Sequence, residues 1–404
     1  MNPADLLDSR ASWLRLAVVV ALATLGGVGM WSVVVTLPSI QAEFGISRGQ
    51  ASMVYTLAML GFGAGGVLMG RLIDRHGPMK PLLVATVLLS GGYILAGLAP
   101  GPVVFTLAQA LLIGMLGSAA AFTPLVAEVS LWFRRRRGIA VAIAASGNYL
   151  AGAIWPPVLS WLMGAYGWRM AHVIVGLVCL VTMAPLALLL RARAPEIPAG
   201  TGPVEGGAGR SFGLSRNALT VMLCAAGVAC CVAMAMPQVH IVAYCGDLGY
   251  GVARGAEMLS LMLACGIISR LASGFIADRI GGVRTLLLGS VLQGLALSLF
   301  LFFDGLASLY VLSALFGLVQ GGIVPSYAVI VRESFPASEA GTRVGIVLMA
   351  TLVGMALGGW LSGVIFDLTG SYAAAFFNGM LWNLANVAIM VSLLVRRRAR
   401  LATV

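Results

Sequence analysis

Charge is what this 404-residue chain has least of. Only 10% of its residues are Asp, Glu, Lys or Arg, against about 25% in a soluble domain. So little charge cannot clothe a water-facing surface, which excludes an ordinary soluble globular protein. Histidine is nearly missing as well, at three residues. The six cysteines (Cys179, Cys224, Cys230, Cys231, Cys245 and Cys265) show neither metal-ligand spacing nor a disulfide framework, and read as small buried residues. There is no G-x-x-x-x-G-K-(S/T) phosphate loop, no soluble catalytic domain, and no His/Cys/carboxylate cluster along a helix face. These absences argue against an enzyme, and nothing in the chain asks for a cofactor or a metal.

What is there is apolar. Hydrophobic residues make up 60% of the chain, gathered into long runs nearly free of charge. Twelve runs are read, at 14–38, 51–70, 81–99, 103–131, 138–163, 170–190, 217–243, 255–277, 283–302, 307–333, 342–366 and 372–395. Most match the ~20 residues a helix needs to cross about 30 Å of hydrocarbon. Glycine numbers 52, nearly twice the usual share of about 7%, and small residues let helices approach closely inside lipid. The first run is too long for the core of a signal peptide and no cleavage pattern follows it. The expected fold is an all-α membrane protein, twelve transmembrane helices in two pseudo-symmetric six-helix bundles. The expected domains are 1–190 and 217–404, joined by the polar linker 191–216.

The net charge of +11 suggests nucleic acid until its distribution is considered. With both termini cytoplasmic, 21 of the 25 basic residues fall on inner loops and helix ends. Three (Arg48, Arg169 and Arg254) fall outside, and Arg270 is the one left over, away from either end of its run. That is the positive-inside bias of a multi-pass inner (plasma) membrane protein. It accounts for the charge through the lipid bilayer, with no nucleic acid, and nothing calls for more than a monomer.

A repeat divides the chain in half. "GRLIDRHG" (Gly70–Gly77) and "GFIADRIG" (Gly274–Gly281) lie 204 residues apart, each after the second run of its half. Repeated halves with a site near the midplane are a common build of secondary transporters. The first copy, extended to "GRLIDRHGPMK", resembles the loop motif of the major facilitator superfamily, matched at Gly70, Asp74, Arg75 and Gly77. The second copy keeps Gly274, Asp278, Arg279, Gly281 and Arg284. The resemblance implies a gating latch at the cytoplasmic face, joined by Glu128 before "WFRRRRG" and Glu333 at the corresponding end of the tenth run. The alternative for both acids is a solvated helix-end charge, Glu128 then pairing with Arg134–Arg137. "PQVHIVAYCGDLGYG" (Pro237–Gly251), "WFRRRRGIAVAIAASGNYLAG" (Trp132–Gly152) and "YGWRMAH" (Tyr166–His172) are similar to bacterial relatives of the monocarboxylate transporters and oxalate–formate exchangers.

Arg270 is the most informative residue. No charged residue lies between Glu257 and Asp278 except Arg270 itself, and an arginine near the bilayer centre costs about 3 kcal/mol or more. Gly266, Ser273, Gly274 and Ala277 share its helical face, leaving room for the side chain and a ligand. A guanidinium can grip a carboxylate through two parallel hydrogen bonds. The structural alternative is an arginine held by backbone carbonyls. In the resembled family the corresponding arginine binds the substrate carboxylate. Two departures bear on this: Gly266 stands where those carriers place an aspartate, and runs 1 and 11 contain no lysine. One cationic anchor suits one carboxylate. The missing aspartate leaves His240 as the candidate for coupling to H+, with a hydrogen-bonded structural histidine as its alternative.

Phe122, Asn148, Tyr149, Ser326 and Tyr327 lie within about two turns of mid-membrane on runs expected to face a cavity, and are the further substrate-binding candidates; ordinary helix packing is the alternative for each. The reading is a secondary transporter of small monocarboxylate anions, lactate- or pyruvate-like, working by alternating access with proton symport left open. A drug exporter or organic-anion exchanger of the same fold is the runner-up; "GNYLAGAIWPP" lacks the G-P-x-x-G-G signature common in antiporters.

Overall fold

The computed structural model describes residues 7–192 and 212–401. Most of the linker expected at 191–216 lies outside the described residues.

Eleven helices among the described residues are long and apolar enough to cross a bilayer. The longest, Gly138–Leu189, runs 52 residues, roughly 78 Å at 1.5 Å per residue and far more than one crossing requires. Gly167 breaks it with φ 77 and ψ 160, a conformation open to glycine and costly to other residues. The two parts match runs 138–163 and 170–190, so the described residues hold twelve segments long enough to cross.

The first crossing is α1 (Arg10–Gly26) and α2 (Val28–Phe44), jointed at Gly27. Then come α3 (Arg48–His76) and α4 (Met79–Gly97). The fourth crossing is composite: α5 (Pro102–Leu107), a π-helical stretch (Ala108–Gly117), a 3-10 turn (Ser118–Ala121) and α6 (Thr123–Val129). The long α7 (Arg137–Leu189) supplies the fifth and sixth crossings. After the linker follow α8 (Arg216–Asp247), α9 (Val252–Ile280) and α10 (Gly282–Leu299). The tenth crossing is split into α11 (Leu306–Gln320) and α12 (Ile323–Ser334), and α13 (Ala337–Thr369) and α14 (Tyr372–Leu401) complete the chain.

Packing divides these helices into two compact units. The first comprises Met1–Gly200 with Cys245–Ser260; the second comprises Thr201–Tyr244 with Leu261–Val404. Within the first unit, α7 packs on α1, α2 and α4, and α3 on the π-helical stretch. Within the second, α14 packs on α10 and α13, and α12 on α10 and α13. Large apolar side chains lie bare on the perimeter, among them Val103, Val181, Phe275, Phe302 and Leu368. Such a surface suits a membrane-embedded protein.

The segment Cys245–Ser260 is tied to the rest of the first unit by polar contacts. Arg48 grips both oxygens of Asp247 at 3.0 and 3.1 Å while its Nε donates to Gln41 at 2.6 Å. Ser260 donates to the Ala153 carbonyl.

Candidate substrate site

The repeated turn is repeated in backbone as well as sequence. Gly77 and Gly281 end α3 and α9 with φ 76 and φ 82, and their N–H groups return to Ile73 and Ala277 at 2.8 Å each. A side chain at either position would sit in the strained left-handed region. The charged residues around these turns face outward. Asp74, Arg75, Asp278 and Arg279 are exposed, and among the described residues no ion pair engages them. Gly70 and Gly274 have nothing within 4 Å of where a Cβ would stand.

The two acids expected beside these turns have separate partners. Among the described residues Glu128 does not pair with Arg134, Arg135 or Arg136 of the adjacent run. It accepts from Nη2 and Nε of Arg15, at 2.6 and 3.1 Å, and from the Trp132 indole at 2.8 Å. Arg15 and Glu128 are both buried, so each charge needs the other. Glu333 accepts the Gly282 N–H at 3.1 Å, placing a carboxylate at the N-terminus of α10, where helix dipoles favour it.

Arg270 is half-buried on α9, beside the place where the tenth crossing breaks. Gly321 and Gly322 separate α11 from α12. A Cβ on Gly317 or Gly321 would stand 2.1 Å from the carbonyl oxygen of Met262 or Gly266, and one on Gly322 would lie 2.2 Å from Ser273 Cβ. Only glycine allows backbones so close. Gly266, Ser269 and Ser273 thus meet the break, with Arg270 on the flank of that contact. Ser273 donates to the Arg270 carbonyl at 2.9 Å.

The fourth crossing is interrupted at the matching level of the repeat: Gly117 and Ser118 stand 204 residues before Gly321 and Gly322, at the change from π to 3-10 geometry. At the tenth crossing Gly321 and Gly322 both keep right-handed helical φ/ψ. Glycine-marked irregularities at corresponding places in two halves are a pointer to a transport site. Hydropathy runs are blind to them.

Two of the expected substrate residues, Tyr327 and Ser326, and the coupling candidate His240 have hydrogen-bond partners within the protein. Tyr327 is fully buried and its hydroxyl donates to Asn386 Oδ1 at 3.1 Å, with Asn386 in turn donating to Ser290 Oγ at 2.7 Å. That chain binds α12 to α14 and α10. Ser326 is buried and its hydroxyl returns to the Gly322 carbonyl at 2.8 Å. His240 is fully buried, with Nε2 2.8 Å from the Gly359 carbonyl and Nδ1 3.3 Å from the Tyr372 hydroxyl. The carbonyl can only accept, so Nε2 carries a hydrogen, and Nδ1 shares a hydrogen bond with the Tyr372 hydroxyl. These are structural geometries.

In the first unit, Phe122 stands where the 3-10 turn meets α6, half-buried and 6.2 Å from the Phe62 ring. Asn148 is half-buried beside the joint at Gly27, and its carbonyl accepts from the Trp31 indole at 3.3 Å. Tyr149 is buried.

Sequence reasoning passed over an amide pair in the second unit. Gln238 Nε2 donates to Gln320 Oε1 at 2.6 Å, both side chains being buried. Gln320 is the last residue of α11, just before the break, and among the described residues its own Nε2 has no partner. Glutamines inside apolar runs were the available signal, since a buried amide needs a reason.

Twelve crossings built around one repeated inter-helix turn define a multi-pass membrane transporter. The sequence profile then settles the family: this chain belongs to the Major Facilitator Superfamily, matched over residues 19–281 and 221–403. It is 29% identical over 349 residues to monocarboxylate transporter 13 of Bos taurus, covering 85% of this chain and 80% of that one. It is 25% identical over 333 residues to the agnestins efflux protein of Paecilomyces divaricatus, covering 80% and 73%. Among solved structures, a bacterial homolog of the human lysosomal transporter Spinster, in its inward-facing and occupied conformation, matches with TM-score 0.69 at 16% identity, over 97% of this chain and 96% of that one. The peptide transporter POT in complex with sulfate matches with TM-score 0.73 at 12% identity, over the same shares. At such identity the structures speak for the fold alone.

Proposed function

We propose that this transporter carries small monocarboxylate anions and that Arg270 binds their carboxylate. The observation that carries the reading is where Arg270 stands: on α9, flanking a helix break, among glycine and serine. A guanidinium in a membrane-spanning helix costs free energy unless an anion or a set of carbonyls receives it, and its planar fork suits a two-bond grip on a carboxylate. Similarity to a monocarboxylate transporter points the same way.

The six-crossing halves 1–190 and 217–404 are the proposed bodies of an alternating-access cycle, in a monomer seated in the inner membrane with both termini cytoplasmic. Phe122, Asn148 and Tyr149 are kept as proposed substrate-facing residues of the first half. Tyr327 and Ser326 are released from that role because their hydroxyls already have partners. Proton coupling is not assigned to His240, both of whose ring nitrogens are engaged. Asp74, Arg75, Asp278 and Arg279 are the proposed gating charges.

Export of larger organic molecules is the second reading, favoured by the resemblance to an efflux protein. Counterflow into proteoliposomes separates the two. Preloaded lactate, pyruvate or another short monocarboxylate should drive uptake of its labelled counterpart, while lipophilic efflux substrates neither exchange nor compete. Exchange of the lipophilic compounds with none of the short acids would reverse the assignment.

A further inference from the structure

The arginine run after the fourth crossing plays no part in carboxylate binding, yet its backbone is held in a defined shape. Asp8, turned back with φ 54, sets its carboxylate against three successive amides. Oδ2 accepts from Arg134 at 3.2 Å and Arg135 at 3.0 Å, and Oδ1 accepts from Arg136 at 3.3 Å. Successive amides of this kind form an anion-binding nest, here filled by the chain's own carboxylate. The Arg135 amide first, and those of its neighbours, hold the Asp8 carboxyl below its ordinary range, so it stays ionised at neutral pH. The Asp8 N–H also donates to the Trp132 carbonyl at 3.2 Å. Trp132 and Phe133 are buried beneath the loop, with Trp13 edge-on to Phe133 at 5.1 Å.

A loop tied down through its backbone presents its side chains outward. Arg134, Arg135 and Arg136 are exposed, as is Arg10 at the start of α1. Among the described residues the nearby acids are already engaged, Glu128 by Arg15 and Trp132, and Asp8 by the amides. Among the described residues no ion pair or side-chain hydrogen bond engages the guanidinium groups of Arg10, Arg134, Arg135 or Arg136; Arg136 lies 6.0 Å from the Trp13 ring centroid. Exposed apolar residues stand close by in sequence: Leu14 at 68%, Leu131 at 51% and Ile139 at 59%.

We propose that this rim is a docking surface for the headgroups of anionic phospholipids. The charge side of the argument is a cluster of exposed arginines at the ends of three crossings, where basic residues meet a negatively charged leaflet. The apolar side is the exposed leucine and isoleucine, which suit acyl chains and would be wasted on a soluble anion. Topology alone requires basic residues on this face but not a carboxylate-filled nest to shape them.

The test uses the full-length chain in a neutral detergent, titrated with phosphatidylglycerol, phosphatidylcholine or inorganic phosphate, and read by thermal shift and by lipid retention in native mass spectrometry. Wild type should bind phosphatidylglycerol in preference to phosphatidylcholine, more weakly as salt rises. The double substitution Arg134→Gln with Arg135→Gln should weaken that binding on the order of twentyfold, while Arg134→Lys with Arg135→Lys keeps most of it. Equal binding of the two lipids by wild type, or no loss in the glutamine variant, would overturn the proposal. So would a phosphate-induced shift equal to that of the lipid, which would make this a free-anion site. Should the glutamine variant fail to fold, the lipid preference and salt dependence of wild type and the lysine variant still decide.

Discussion

Arg15 on α1 and Arg270 on α9 both sit in apolar helices of this protein, and their surroundings differ. Arg15 on α1 is 6% exposed, paired with Glu128 at 2.6 Å and stacked 4.3 Å from the Trp132 ring centroid. Arg270 on α9 is half-buried in a stretch of its own helix that has no acid between Glu257 and Asp278. Its helix meets the glycines of a broken crossing there. The first arginine is neutralised by its own fold and belongs to the architecture. The second stands on a helix whose small residues Gly266 and Ser273 pack closely against Gly321 and Gly322, and its role as a carboxylate anchor is the proposal to be tested. The contrast lies in the neighbours, since the side chain is the same.

The largest stability effect should fall on the first of the pair. Glu128→Gln leaves the buried Arg15 guanidinium without its counter-charge, and breaking a buried pair in this way costs about 3–5 kcal/mol. Its denaturation midpoint should drop sharply, whereas Arg270→Gln should stay within about 1 kcal/mol of wild type. Equal loss in both would collapse the distinction. Next in size, Gly321→Ala forces a methyl to within 2.1 Å of the Gly266 carbonyl, an overpacking that should cost about 1–3 kcal/mol and weaken substrate affinity by shifting α9 against the break. Unchanged stability and affinity together would mean the close contact does not fix Arg270.

His240→Gln sharpens the comparison from another side. Losing the histidine bonds to Gly359 and Tyr372 should cost about 1–3 kcal/mol and leave the pH dependence of transport where it was. A pH profile moved by a full unit would restore His240 as the coupling residue. Smallest in stability are Asp74→Asn and Arg75→Ala, both on exposed side chains, which should stay within about 0.5 kcal/mol. Turnover should fall in these variants while binding affinity holds; the opposite pattern would contradict a gating role.

The twelve crossings were legible because a 20-residue apolar run has few other uses, and the glycine turns because Gly77 and Gly281 punctuate a repeated phrase. The breaks at Gly27, at Ser118–Ala121 and at Gly321–Gly322 were not, since each occupies a few residues inside a run that stays apolar throughout. The partner of Glu128 was hidden for a different reason. Nearness in sequence favoured Arg134–Arg137, but the residue that reaches it is 113 positions away, and one-dimensional order carries no trace of that packing. Tyr327 shows the same limit: a tyrosine in an apolar helix can face a cavity or a neighbour such as Asn386, and the helical period does not distinguish them.

The central claim is that Arg270 holds the substrate carboxylate, and ligand-dependent thermal shift on purified wild type, Arg270→Lys and Arg270→Gln over a panel of short acids tests it most directly. Losing a charge-assisted hydrogen bond is worth about 1.5–3 kcal/mol, roughly ten- to a hundredfold in affinity. The glutamine variant should therefore lose the shift that monocarboxylates give wild type while keeping its own unliganded midpoint, and the lysine variant, which keeps the charge and loses the fork, should fall between. A glutamine variant that binds every acid with wild-type affinity would contradict the claim, leaving Arg270 a structural arginine and the substrate class open.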